Sequence, residues 1–103
     1  PLQYLLTALA GCTNAVAHVA AKEMEFDLQG LSIQASGEFD PRGFMGDPNV
    51  RTYFETVTLD VKVKTTESTE RLEELQKQVA SRCPVFGTFA AANIEMKDSW
   101  TIV

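Results

Sequence analysis

At 103 residues the chain is long enough for one hydrophobic core and too short for two. Its 45% apolar and 22% charged content is that of an ordinary globular domain, and its net charge of −5 argues against nucleic acid or an anionic membrane surface as the main partner. Two cysteines are too few for a secreted disulfide scaffold and are not spaced for zinc, so neither metal nor cofactor is expected.

The first predicted element covers residues 1–21, PLQYLLTALAGCTNAVAHVAA, which carry no charged side chain if His18 is neutral. Proline suits the first turn of a helix, where its missing N–H has no partner to lose. Leu2, Leu5, Leu6, Leu9, Val16 and Val19 supply large apolar groups, and alanines fill most other faces. A helix apolar nearly all round is expected in the middle of a structure. Its length of roughly 30 Å also matches a bilayer. Gln3, Thr7, Thr13, Asn14 and His18, with the amphipathic pattern that follows, favour a buried core helix instead. Gly11, beside Cys12, costs a helix about 1 kcal/mol relative to alanine. That cost implies a close neighbour next to the thiol, either another element or a second subunit.

Residues 22–29 form a charged connection ending at Gly30. From Leu31 a strict alternation places Leu31, Ile33, Ala35, Gly37 and Phe39 on one face of a half-buried strand. Residues 56–64 alternate as clearly, with Val57, Leu59, Val61 and Val63 inward, and the two strands are expected to pair antiparallel. Between them, residues 41–53 contain Pro41, Gly43, Gly46 and Pro48 together with Arg42, Phe44, Met45 and Arg51. The simplest reading is a long hairpin loop whose Phe44 tucks against the sheet; a lid or a subunit contact is the alternative.

Residues 67–82 read as an amphipathic helix capped by Ser68 or Thr66, with Leu72, Leu75 and Val79 on one stripe and Glu73 placed to pair with Lys77. Its charged face reads as solvated surface. In RCPVFGTFAAAN, Pro84 starts a short helix with Cys83 at its N-cap, and Asn93 ends it. Ile94, Met96, Trp100 and Ile102 mark a last strand. The order predicts one α+β domain, residues 1–103, with helices on one face of a mostly antiparallel sheet.

Locally, Cys83 is the thiol with an argument for activation: a helix dipole and Arg82 both favour a thiolate. Cys12, mid-helix and among apolar groups, reads as inert. His18 lies about 600° around the helix from Cys12, off its face. Glu23 and Glu25 read as solvated residues past the helix end. Nothing local establishes that the two cysteines meet.

Two segments taken together carry a family resemblance. PLQYLLTALAGCT resembles the start of the central helix of OsmC-like proteins, which runs as P-x-E-L-L-x-A-x-A-x-C into a first reactive cysteine. RCPVFGTFAAA resembles the family's second cysteine segment, and the intervening strands, loop and helix keep the family order. The resemblance implies an intertwined homodimer with the long central helices buried back to back, and a chain that here lacks the family's N-terminal strands. It implies reduction of organic hydroperoxides, with Cys12 as the peroxidatic thiolate and Cys83 as the resolving thiol. A lipoylated protein or another thiol would regenerate the pair. No export signal is visible, in keeping with a cytoplasmic location. The family's first thiolate is served by an N-terminal arginine held by a glutamate near the helix start. Leu2 and Gln3 stand at the glutamate's place, and Arg42 and Arg51 are the candidate substitutes within this sequence. The departure motivates a second reading, a dimer that binds a small apolar or thiol ligand without turnover.

Overall fold

A computed structural model describes residues 1–103. The apolar N-terminal stretch forms α1 (Leu2–Glu23), followed by strand β1 (Gly30–Glu38), a single turn α2 (Pro41–Phe44) and strand β2 (Thr56–Lys64). Helices α3 (Thr69–Arg82) and α4 (Pro84–Ala91) lead to strand β3 (Glu95–Ile102). Each boundary has a local cause. Ser68 Oγ accepts from the Arg71 N–H to cap α3, Pro41 and Pro84 open their helices, and Asn93 turns the chain at φ 60°.

β1 and β2 pair antiparallel from Gly30↔Lys64 to Glu38↔Thr56, as the two alternating runs predict. β3 lies parallel to β2, from Thr56↔Glu95 to Val63↔Ile102, so the sheet is mixed. The reason is the connection: α3 and α4 carry the chain back to the starting end of β2, and a crossover of that kind delivers a parallel neighbour. Val57, Leu59, Val61 and Val63 are buried on the sheet's inner face, against Leu9, Ala17 and Ala20 of α1 and Leu72, Leu75 and Val79 of α3.

The connection from α1 to β1 is tied to the one from β2 to α3. The Asp27 carboxylate accepts from Thr66 Oγ1 and Gln29 Nε2, each at 2.7 Å, while Arg71 donates to the Met24 carbonyl. Arg71 also takes the ion pairs of the helix surface, with Glu67 and Glu74, and the anticipated Glu73–Lys77 pair is not formed.

Two further expectations change. The simplest reading of the 41–53 loop fails, because Phe44 is 84% exposed; Phe54 is the aromatic that packs inward, at 3%. A one-turn helix lifts Phe44 away from the sheet, whereas Phe54 enters directly ahead of β2. Within the chain α1 is buried along one side only, through Leu9, Thr13, Ala17, Ala20 and Ala21. Tyr4, Ala8, Gly11, Ala15 and Val19 on its outer side are exposed. A Cβ on Gly11 would meet nothing within 4 Å, so no other element of this chain approaches it. The radius of gyration, 15.1 Å, exceeds the roughly 13 Å of a closed domain of this size, as a partly uncovered rod requires.

Candidate active site

The site is where α1 meets the junction of α3 and α4. Cys12 sits at the middle of α1 and is half-buried; Cys83, between α3 and α4, is 2% exposed. Their sulfurs lie 2.8 Å apart, with Cys83 donating to Cys12. The fold thus brings together two residues separated by 71 positions. Both are free thiols, and a disulfide of about 2.05 Å would need less than 1 Å of further approach.

The geometry corrects the local reading of Cys83. It does cap α4, its sulfur accepting from the Phe86 N–H at 3.4 Å. Burial nonetheless pushes its thiol up, the hydrogen bond to Cys12 adds to that, and the Phe86 N–H only partly offsets them. Arg82 gives no help, because its guanidinium points to Glu23 at 2.8 Å. Glu23 is therefore a paired residue of the last turn of α1, not a free carboxylate beyond it. Burial thus favours the protonated form of Cys83, whose thiol faces the less buried sulfur of Cys12.

His18 is exposed, with Nδ1 against the Asn14 carbonyl at 2.8 Å, and takes no part. Neither candidate arginine serves the thiols. Arg42 grips the Asp40 carboxylate at 2.6 Å. Arg51 donates to the Phe54 and Asn93 carbonyls and stacks over Tyr53 at 4.3 Å. Sequence reasoning missed the Glu23–Arg82 pair. Its signal was present: Glu23 is eleven residues after Cys12, which returns to the same helix face.

Two apolar hollows flank the start of α1. One, of about 360 Å³, lies between Pro1, Leu2, Phe39 and Phe44. The other, of about 210 Å³, lies between Leu2, Leu5, Tyr53, Phe54 and Phe89. Leu5 is about 10 Å along the helix from Cys12.

The sequence matches a family described as OsmC-like protein over residues 1–97. No curated protein matches it. The structure is similar to that of an OsmC-like protein from Mycoplasma pneumoniae, with a TM-score of 0.90 at 21% identity, over 100% of this chain and 71% of that one. An organic hydroperoxide resistance protein OsmC from Legionella pneumophila gives a TM-score of 0.75 at 15% identity, over 99% and 67% of the two chains. An organic hydroperoxide resistance protein from Elizabethkingia anophelis gives 0.71 at 12% identity, over 94% and 62%. At these identities the likeness is one of fold.

Proposed function

This chain belongs to the OsmC-like family, and on that premise we propose that it is a two-cysteine reductase of organic hydroperoxides, acting in peroxide stress in the reducing cytoplasm. The observation that carries the proposal is the pair of sulfurs 2.8 Å apart, one accessible and one buried. Cys12, as thiolate, attacks the terminal oxygen of R–O–OH; the O–O bond breaks, a proton is taken up, and R–OH leaves with Cys12 as a sulfenic acid. The Cys83 sulfur then displaces the sulfenic hydroxyl, giving a Cys12–Cys83 disulfide and water. A dithiol, of lipoyl type or other, reduces the disulfide to two thiols and is itself oxidised. One hydroperoxide and one dithiol thus give an alcohol, water and a cyclic disulfide.

The exposed outer side of α1 supports a homodimer in which two such helices meet, since Ala8, Gly11 and Ala15 let backbones approach closely. The hollows beside Leu2 and Leu5 favour an apolar R group. They equally motivate the second reading, a dimer that binds a small apolar or thiol ligand there without turnover.

The test is thiol titration by mass spectrometry after one equivalent of cumene hydroperoxide. Rapid loss of both thiols with a Cys12–Cys83 link in the digest is expected. Cys12→Ser should abolish turnover, and Cys83→Ser should leave a single-turnover sulfenate. Two thiols surviving excess oxidant would overturn the proposal and turn attention to ligand binding in the double-serine variant.

A further inference from the structure

The cysteine pair can act as a chelate, a chemistry the cycle above does not use. Both residues are free thiols with sulfurs 2.8 Å apart, Cys12 half-buried and Cys83 only 2% exposed. One atom bonded to both sulfurs would close a ring across α1 and the α3–α4 junction, and the surroundings decide which atom fits. A structural zinc site needs four ligands. The chain gathers no group of three or more His, Cys, Asp or Glu side chains, and both Glu23 and His18 on α1 are engaged elsewhere. The bridging atom must therefore be satisfied by two sulfurs. Spacing narrows the choice. With bonds of the zinc–thiolate length, about 2.3 Å, a linear ion such as copper(I) or mercury(II) holds two sulfurs roughly 4.6 Å apart, and an atom with a bond angle near 90° roughly 3.3 Å apart. The linear bridge thus needs roughly 1.8 Å of separation between packed helices, the bent one only roughly 0.5 Å. Charge acts in the same direction. Two thiolates around copper(I) keep a negative charge that burial at Cys83 penalises, whereas two around a monosubstituted arsenic(III) centre give a neutral group.

We propose that Cys12 and Cys83 form a chelating site for trivalent, monosubstituted arsenicals. With R–As=O, two S–H bonds break, two S–As bonds form, and the oxygen leaves as water with both protons; arsenic stays trivalent and no sulfur is oxidised. The unequal burial of the two thiols sets the order. Arsenic meets Cys12 first, and Cys83, buried behind it, closes the ring. A hollow of about 200 Å³ bounded by Ala15, Val16, Val19 and Arg82 begins one helical turn beyond Cys12 and has room for an apolar R group. The proposal rests on the placement of the two sulfurs and not on the peroxidase reading.

The experiment adds phenylarsine oxide to the reduced full chain and reads intact mass and free-thiol count under native conditions. One phenylarsenic per chain is expected, with both thiols lost, retained against excess monothiol and released by a small dithiol. Ring closure within the chain should make the parent hold the arsenical at least about 100-fold more tightly than Cys83→Ser, which can offer one sulfur only. Cys12→Ser should take up none while folded and become reactive on denaturation, because its remaining thiol is covered. That asymmetry is the signature, since two equally accessible thiols would make both single variants behave alike. The thermal transition of each variant checks folding, and Cys83→Ala replaces Cys83→Ser if the serine is not tolerated. An adduct that monothiol strips from the parent, one that links two chains, or equal uptake by the two single variants would overturn the proposal. Hydroperoxide consumption by the untreated parent, measured in parallel, separates the two readings. An active parent that releases the arsenical to monothiol defeats the chelate alone, and an inactive parent that retains it defeats only the peroxidase.

Discussion

Gly37→Ala tests how the core supports the candidate site. Gly37 sits opposite Val57 on β1, and a Cβ there would lie 2.5 Å from Phe54 Cε1 and 2.7 Å from Cδ1. Ordinary carbon contacts are about 3.5–4.0 Å, so the ring must retreat by roughly 1 Å. It has little freedom to do so. Phe54 is 3% exposed, edge-on to Phe39 at 6.2 Å and tilted against Phe89 at 6.3 Å, and its carbonyl is held by Arg51. Overpacking of this kind costs about 1–3 kcal/mol, while replacing a strand glycine returns roughly 0.5–1 kcal/mol. The net loss is about 1–2 kcal/mol, which for a domain of this size lowers Tm by roughly 5–15 °C. Thermal unfolding followed by circular dichroism measures it, and adding Phe54→Leu should restore part of the loss. A Gly37→Ala protein melting at or above the parent temperature would refute the reasoning, because it would mean that the ring yields freely. Since Phe89 belongs to α4, the helix that Cys83 caps, the same displacement should also slow closure of the Cys12–Cys83 link.

Two carboxylates should give opposite pH signatures in melting experiments. Burial holds the half-buried Asp98 carboxyl above its usual value, although Trp100 Nε1 donates to it at 2.8 Å. The folded state therefore binds the proton more tightly, and the associated stability is full below the usual carboxylate range and lost as pH rises through the raised value. Asp98→Asn should accordingly raise Tm at pH 7, with the gain vanishing in acid; an unchanged or lower Tm at pH 7 would contradict this. Asp27 is held below its usual value by hydrogen bonds from Thr66 and Gln29. Its contribution is present above the usual range and lost as pH falls through the lowered value. Asp27→Asn should lower Tm at pH 7 and converge on the parent in acid, and a pH-independent difference would count against the assignment.

Most of the fold is legible because its elements announce themselves locally. The period-two runs fix β1 and β2 and even their register, since sliding either strand by one residue would turn Val57, Leu59, Val61 and Val63 to solvent. Pro84 and Ser68 fix helix starts through backbone chemistry that needs no partner elsewhere. What stays illegible depends on contacts distant in sequence. Whether Phe44 or Phe54 enters the core is decided by which one the α2 turn leaves pointing outward. Gly37 is the exception that hints at its contact, for a glycine on the inward face of an alternating strand marks a close approach. Nothing in the strand itself names Phe54 as the group that approaches.

The candidate site shows the same division. The short segments around Cys12 and Cys83 carry the family resemblance, yet the local electrostatic argument for a Cys83 thiolate does not survive its burial. That argument treats Cys83 as a helix N-terminus beside a cation, and both features are present. Burial and the direction of Arg82 reverse their effect, and both are tertiary facts: α1 covers Cys83, and Glu23, 59 residues before Arg82, draws the guanidinium away. The consequence is a division of labour that one thiol alone could not provide. In the proposed cycle, buried Cys83 is shielded from the oxidant and stands next to the sulfur it would attack, while half-buried Cys12 meets the substrate. In that cycle, exchanging their environments would make the resolving thiol the more accessible of the two, where it would meet the oxidant in its own right. The asymmetry of burial, more than the presence of two cysteines, is what would order the two steps of the proposed cycle.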